Sequence, residues 1–186
     1  MSARGTLFLI VGASGAGKDT LIAAARSRLG QTGRYSFPRR TITRLHQAGG
    51  EDHVETTVEE FERLERDGAF ATSWRAHGHA YGIPASMAME LAGGRNVVIN
   101  VSREIVPDAR RRFAPVHVIE VTAPADLRTA RLRSRGREKD DAIAPRVARL
   151  AAVEPDDIVA NDGELERAVA AFLAALTKVE KEAPGP

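Results

Sequence analysis

Residues 12–20 read Gly-Ala-Ser-Gly-Ala-Gly-Lys-Asp-Thr, and they follow directly on an apolar run at residues 7–11. The pattern G-x-x-x-x-G-K between a buried strand and a helix is typical of a phosphate-binding loop. In such a loop, successive backbone N–H groups point inward at the N-terminus of the helix. The sequence therefore predicts that nucleotide phosphates bind at Gly12, Ala13, Ser14, Gly15, Ala16, Gly17, Lys18, Asp19 and Thr20, with Lys18 supplying a positive charge for the β- and γ-phosphates.

The residue after the lysine departs from this pattern. A Ser or Thr hydroxyl normally meets Mg²⁺ there, whereas this chain has Asp19 and carries its hydroxyl one position later, at Thr20. A carboxylate is a hard oxygen ligand, so Asp19 could lie close to Mg²⁺, and we favour this interpretation. Alternatively, Asp19 is an acid stabilised by the helix dipole, and Thr20 takes the hydroxyl role.

Composition narrows the class of protein. A chain of 186 residues predicts one domain, and a net charge of +2 gives no strong attraction to nucleic acid or to a membrane surface. The chain has no cysteine, which excludes disulfides and cysteine chemistry and suits a reducing compartment. We therefore expect a cytoplasmic protein, a monomer or homodimer, with no nucleic-acid or membrane partner. Residues 181–186 are expected to form a disordered tail.

Three apolar runs, at residues 7–11, 96–101 and 116–121, are each followed by a helical pattern. Ser102 can cap the second of these helices, and Pro124 suits the first turn of the third. A weaker strand at 158–160 and a helix at 164–178 close the chain. This alternation predicts an α/β fold in which a central parallel sheet is flanked by helices, within a single domain at residues 1–180.

Residues 34–92 differ from this pattern, because they are less apolar and contain only short strand-like pieces. Thr57 begins a capping box that opens a helix through Arg66. His77 and His79 flank Gly78 in what we expect to be a loop. We interpret the region as an insertion in the α/β core and not as a separate domain.

Arginines are concentrated near the end of the third predicted helix. Arg128, Arg131 and Arg135 share one helix face, where they would present three guanidinium groups in a row. A protein that binds a triphosphate needs such charges around the transferring group. Residues 131–149 are therefore expected to form an arginine-rich lid, although a solvated helix face would give the same pattern.

Taken in order, these features resemble the guanylate-kinase-like family of P-loop nucleoside monophosphate kinases. The resemblance spans nearly the whole chain. Besides the phosphate loop, it is carried by Arg-Thr-Ile-Thr-Arg at 40–44, Gly-His-Ala-Tyr-Gly at 78–82, Arg-Leu-Arg-Ser-Arg-Gly-Arg at 131–137 and Asn-Asp-Gly at 161–163. It implies a P-loop kinase fold and ATP as the phosphoryl donor. It also implies that the small insertion at residues 34–92 binds the acceptor, with the loop of His77 and His79 near the substrate.

Within that group, the chain is most similar to the ribose 1,5-bisphosphate phosphokinases. The matching stretches are Gly-Lys-Asp at 17–19, Ile-Thr-Arg at 42–44 with Gly-Glu-Asp-His at 50–53, Phe-Ala-Thr-Ser-Trp at 70–74 and Asn-Val-Ser-Arg at 100–103. The resemblance implies conversion of ribose 1,5-bisphosphate, a small phosphorylated sugar, to 5-phosphoribosyl 1-diphosphate with ATP and Mg²⁺. It also implies a link to phosphonate catabolism.

The residues expected to read a guanine base are missing. Alignment with the guanylate-kinase-like family places Thr72, Ile83 and Ser102 where that family has a Glu, a Ser and an Asp. The donors of guanine need such acceptors, so GMP should be a poor substrate. The phosphate-reading groups remain, namely Arg40 or Arg39, Arg44 and Tyr81, although Glu51 or Asp52 could still supply a carboxylate.

The resemblance also assigns roles to single residues. It implies that Lys18, Arg131, Arg135 and Arg146 act on the transferring phosphoryl group, that Asn161 lies at the nucleotide and that Asp19 lies at the metal. The expected acceptor-binding residues are Arg40, Arg44, His53, Thr72, Tyr81 and Ser102. Two alternatives stay open at this point: a nucleoside monophosphate kinase with an unusual pocket, and a non-catalytic interaction module.

Overall fold

The computed structural model describes residues 4–45, 51–134 and 153–182. Its strands are β1 (Leu7–Val11), β2 (Tyr35–Ser36), β3 (Thr41–Ile42), β4 (Val54–Glu55), β5 (Phe70–Ala76), β6 (His79–Pro84), β7 (Asn96–Asn100), β8 (Val116–Thr122) and β9 (Asp157–Ala160). Its helices are α1 (Lys18–Leu29), α2 (Val58–Arg66), α3 (Ser86–Ala92), α4 (Val106–Arg112), α5 (Ala125–Ser134) and α6 (Leu165–Glu182). No helix among these residues is long and apolar enough to cross a membrane.

The main sheet has five strands in the order β2-β7-β1-β8-β9, and every neighbouring pair is parallel. Side chains of β1 alternate between its two faces, as the strand period requires. Leu7 and Leu9 pack with α3 and α4 on one face, whereas Phe8 and Ile10 pack with α1 and α6 on the other. The predicted α/β fold with a helix-flanked parallel sheet is therefore confirmed.

A second, smaller sheet has four strands in the order β4-β3-β6-β5. β6 pairs antiparallel with β3 and β5, and α2 lies against the hairpin that β5 and β6 form. Ile42, Tyr81 and Ile83 of this sheet belong to the same buried cluster as Leu9 of β1. The small sheet is therefore joined to the main one through a shared hydrophobic core.

Two local predictions about the insertion were wrong. Tyr35 and Ser36, which the sequence placed in the insertion, pair with Asn96 and Val97 as the edge strand of the main sheet. His79, expected in a loop, lies in β6, because the hairpin turns in the two residues His77 and Gly78. Both have positive φ angles, 53° and 75°, which is the geometry of a tight hairpin turn.

One predicted helix end agrees closely with the structure, and two differ from it. Thr57 caps α2 by accepting a hydrogen bond from the Glu60 backbone N–H at 3.2 Å, as the capping box predicts. Ser102 accepts one from Glu104, but the segment begins as a short 3₁₀ turn at Arg103–Ile105 before α4. At the C-terminus, α6 continues to Glu182, so residues 181 and 182 are helical and not part of a disordered tail.

Candidate active site

The phosphate loop joins β1 to α1 at the carboxyl edge of the main sheet, which is where open α/β sheets bind their ligands. Gly15 has φ +79°, and a Cβ there would lie 2.7 Å from the Arg128 carbonyl oxygen. Gly17 has φ +93°, and a Cβ there would overlap the Asn161 side-chain amide. The loop thus needs glycine at both positions for backbone conformation and for space.

Lys18 is the first residue of α1, and its ammonium group is enclosed by the loop. Its Nζ donates to the carbonyl oxygens of Gly12 at 2.7 Å and Ala13 at 3.1 Å. Burial lowers the pKa of Lys18 from 10.5 to about 8, an effect that the Asp19 carboxylate partly opposes and that Arg40 reinforces. Burial is thus the main influence on the pKa of this lysine, and the nearby carboxylates of Asp19 and Glu51 offset it only in part.

Asp19 lies in the first turn of α1, opposite the end of β7. Its Oδ1 accepts a hydrogen bond from the Asn100 side-chain amide at 2.8 Å. An ionised carboxylate has about four acceptor positions, so this bond leaves capacity for a cation. Asp19 thus has the chemistry of a Mg²⁺ ligand, and Mg²⁺ in kinases uses one or two carboxylates together with substrate phosphates. No cluster of three or more metal-binding side chains occurs within residues 4–45, 51–134 and 153–182.

Two polar side chains support the phosphate loop from behind. Asn161 is 3% exposed, and its amide donates to the Ala16 carbonyl at 2.8 Å. The Arg131 guanidinium lies 3.4 Å from the carbonyl oxygens of Gly15 and Ala16, and 3.2 Å from that of Asn161. Both side chains therefore contact the backbone of the phosphate loop. Their expected contacts with nucleotide or transferring phosphoryl stay predictions.

Arg40, which precedes β3, is a buried cation in the region that we expect to bind the acceptor. It is 7% exposed and donates from Nε to Glu51 Oε1 at 2.7 Å, with a second bond from Nη2 to Oε2. Its guanidinium carbon lies 5.6 Å from the Trp74 ring and 5.2 Å from the Tyr81 ring. These two rings stack on each other with centroids 5.2 Å apart. A buried cation of this kind requires a charged partner, and Glu51 provides it.

Arg44 and His53 lie at the two ends of the chain segment between β3 and β4. The Arg44 guanidinium is 31% exposed and lies 3.9 Å from Glu51, so one carboxylate faces both Arg40 and Arg44. The two ring nitrogens of His53 lie 2.9 Å from the carbonyl oxygens of Glu51 and Arg44. The structure thus places His53 as a link between these backbone segments, a contact that the sequence reading did not foresee.

Thr72 and Ile83 face each other across the β5–β6 hairpin. Because strand side chains alternate, Thr72 shares a face with Trp74, and Ile83 shares one with Tyr81. The two positions aligned with guanine-reading residues are therefore next to each other on the face that carries Tyr81. Ser102 follows β7 at the carboxyl edge of the main sheet.

The sequence reading missed an ion pair at this edge. Arg103 donates to Glu120 of β8, and both side chains are largely buried, at 13% and 22% exposure. The charge of Arg103 is close enough to contribute to the lowered pKa of Lys18. The sequence offered one hint of this pair. Arg103 follows β7 and Glu120 lies within β8, and these are the two strands on either side of β1. Arg135 and Arg146 lie outside the residues that the structure describes.

Comparison with known proteins identifies the family. The chain is 51% identical to the ribose 1,5-bisphosphate phosphokinase PhnN of Acidiphilium cryptum over 179 residues, which cover 96% of each protein. It is 46% identical to the protein of the same name from Rhodopseudomonas palustris over 160 residues, 86% of this chain and 82% of that one. The chain belongs to the ribose 1,5-bisphosphate phosphokinase family. It is therefore a member of a family of phosphotransferases.

Solved structures show a similar fold. The chain superposes on a guanylate kinase from Anaplasma phagocytophilum with a TM-score of 0.67, covering 95% of this chain and 87% of that one. The sequence identity is only 17%, so this likeness concerns the fold. No protein-family model matches the chain.

Proposed function

We propose that this phosphokinase transfers the γ-phosphoryl group of ATP to the 1-phosphate of ribose 1,5-bisphosphate, giving 5-phosphoribosyl 1-diphosphate and ADP. The observation that carries the proposal is a site that retains cations for phosphate beside a phosphate loop, without groups for a base. Arg40 and Arg44 are these cations, and the Tyr81 ring lies beside Arg40 with a hydroxyl that can donate to phosphate. Thr72 and Ile83 stand where base readers would be. The family membership supports the same substrate.

The donor half of the site is the phosphate loop with Lys18. The backbone N–H groups at residues 15–18 would hold the β-phosphate, and the Lys18 ammonium would leave the Gly12 and Ala13 carbonyls for the phosphate oxygens. When bound, Mg²⁺ would neutralise charge on the β- and γ-phosphates, and Asp19 is the residue that we propose to hold it. Asn161 and Arg131 would keep the loop in shape from behind.

The acceptor half needs positioning more than acid–base chemistry. A phosphate oxygen is already an anionic nucleophile, so no strong general base is required. We assign the accepting 1-phosphate to Arg44 and Tyr81, with Arg40 adding positive charge from behind the Tyr81 ring. Thr72 and Ser102 would line the sugar side. The Glu51 carboxylate balances Arg40 and Arg44, and it would have to share them with the incoming phosphate.

We further propose that Arg131, Arg135 and Arg146 form a lid whose charges stabilise the transferring group. Arg131 is already at the loop, 3.4 Å from the Gly15 carbonyl oxygen. The lid, residues 131–149, would close one end of a single domain at 1–180, with the acceptor region within 34–92. ATP as donor and the absence of cysteine both suit the cytoplasm, where we place the reaction.

An assay of ADP release across a panel of acceptors tests this function. We expect kcat/KM for ribose 1,5-bisphosphate to exceed that for GMP by on the order of 10⁴, because a pocket without acceptors leaves the guanine donors unpaired. AMP and other monophosphates complete the panel. A Lys18→Met preparation, purified in the same way, controls for contaminating kinases.

Equal or faster turnover of GMP would contradict the proposal and favour a nucleoside monophosphate kinase. A chain that does not bind ATP in a calorimetric titration would instead be the interaction module considered above. The presence of Lys18 and of Arg131 at the loop argues against that second outcome.

A further inference from the structure

The contact between Asp19 and Asn100 lies at the point where β1, α1 and β7 meet. Asn100 is the last residue of β7, and Ile10 of β1 is its partner in the sheet register. Its side chain is on the face that Val98 shares with the residues of α1, because strand side chains alternate. It therefore meets the first turn of α1, where its Nδ2 donates to Asp19 Oδ1 at 2.8 Å.

The chemical types at these two positions are exchanged relative to other phosphate loops. In P-loop NTPases, a Ser or Thr hydroxyl after the lysine and an Asp at the end of a strand together hold Mg²⁺. Here the helix position carries the carboxylate, Asp19, and the strand position carries the neutral group, Asn100. The pair keeps one negative charge and one hydrogen bond, but the donor and the acceptor have changed places.

We propose that Asn100 is a positioning residue for a Mg²⁺-binding Asp19, so that the two residues form an exchanged version of the hydroxyl–carboxylate pair. The Asn100 amide fixes the Asp19 side chain by donating to one of its oxygens, which leaves the carboxylate charge for the cation. This inference rests on the metal role proposed above for Asp19, but not on the identity of the acceptor.

The charge balance explains why both positions must change together. An Asp at position 100 beside Asp19 would bring two carboxylates within hydrogen-bond distance, and such like charges disfavour each other. A Ser at position 19 beside Asn100 would leave the pair without a carboxylate. Only the combinations with one carboxylate preserve the charge of the site. The proposal can therefore be tested by exchanging the carboxylate and the neutral group between positions 19 and 100.

The test measures Mn²⁺ binding to the complex of the protein with ADP, by electron paramagnetic resonance, so it needs neither acceptor nor turnover. We expect Asn100→Ala to weaken Mn²⁺ binding about tenfold, as is usual for residues that orient a ligand. Asp19→Ser should weaken it more, because the charged ligand itself is lost. The double variant Asp19→Ser/Asn100→Asp should recover most of that loss.

Asp108→Ser is the matched control, because Asp108 is also an acid in the first turn of a helix. It should leave Mn²⁺ binding unchanged. If Asp19 were only a helix-stabilising acid, Asp19→Ser would behave like Asp108→Ser, and the proposal would fail. It would also fail if Asn100→Ala had no effect, or if the double variant bound Mn²⁺ no better than Asp19→Ser. ADP binding without metal confirms that each variant is folded.

Discussion

At the scale of single residues, the burial of Lys18 disfavours its charged form. The free protein encloses its ammonium group among backbone carbonyls, and burial lowers its pKa to about 8. Phosphate oxygens of a nucleotide would supply the negative charge that this position lacks. Because an opposite charge favours the protonated form, nucleotide binding should raise the pKa of Lys18 again.

This pKa change predicts that ATP binding takes up a proton at alkaline pH. At pH 9, a lysine with a pKa of about 8 is mostly neutral in the free protein and protonated in the complex, so uptake should approach about one proton per ATP. Near pH 7 the lysine is mostly charged in both states, so the uptake should fall to about a tenth of a proton. Calorimetric titration in buffers of different ionisation enthalpy measures the uptake.

Lys18→Arg is the control, because a guanidinium stays charged throughout this pH range. It should bind ATP at pH 9 without the uptake. An uptake equal to that of the wild type in this variant would show that the proton goes to another group.

At the scale of elements, the segment between β3 and β4 carries Arg44 and Glu51, two of the charges that we propose to surround the acceptor phosphate. Its ends are joined by His53, which contacts the backbone carbonyls of both Arg44 and Glu51. Asp52 anchors the same segment to α1 through Arg26 at 2.9 Å. The position of Arg44 therefore depends on the His53 ring, which contacts these two carbonyl oxygens. The sequence had suggested His53 as a substrate contact.

Removing this link should weaken acceptor binding selectively. We expect His53→Ala to raise the KM for ribose 1,5-bisphosphate about tenfold, since small displacements of positioning groups are costly, and to change the KM for ATP little. Steady-state kinetics with each substrate varied in turn measures both. His117→Ala is the control, because His117 bonds Asp157 between β8 and β9 at 2.8 Å. A matching rise in KM for ATP, or the same effect in the control, would contradict a local role.

The hairpin of β5 and β6 shows why some elements escaped prediction from sequence. Its strands contain one arginine, one histidine and several small residues, so the apolar alternation is weak. His77-Gly78 was the available turn signal, but His77 itself adopts a positive φ, which few non-glycine residues do. β2 is only two residues long, and it belongs to the main sheet because it pairs with β7. No local sequence pattern indicates that pairing.

At the scale of the whole molecule, the strongly patterned parts were predictable. The runs that became β1, β7 and β8 have apolar centres because helices cover both faces of the sheet, and the glycine loop indicates where we expect ligand phosphates. The pairings Asp19–Asn100, Arg40–Glu51 and Arg103–Glu120 were not predictable, because each joins residues that are apart in the sequence and meet only in the folded chain. The arrangement of charges in the site is therefore apparent only in the folded protein, where both sheets lie around the loop.

The fate of the transferred phosphoryl group tests the central claim most directly. After incubation of the protein with ATP, Mg²⁺ and ribose 1,5-bisphosphate, phosphorus NMR of the products identifies which phosphate was extended. The account predicts a pair of coupled diphosphate signals on C1 of the ribose, an unchanged 5-phosphate and an equal amount of ADP. ADP formed with inorganic phosphate and no diphosphate sugar, or a diphosphate at C5, would contradict it.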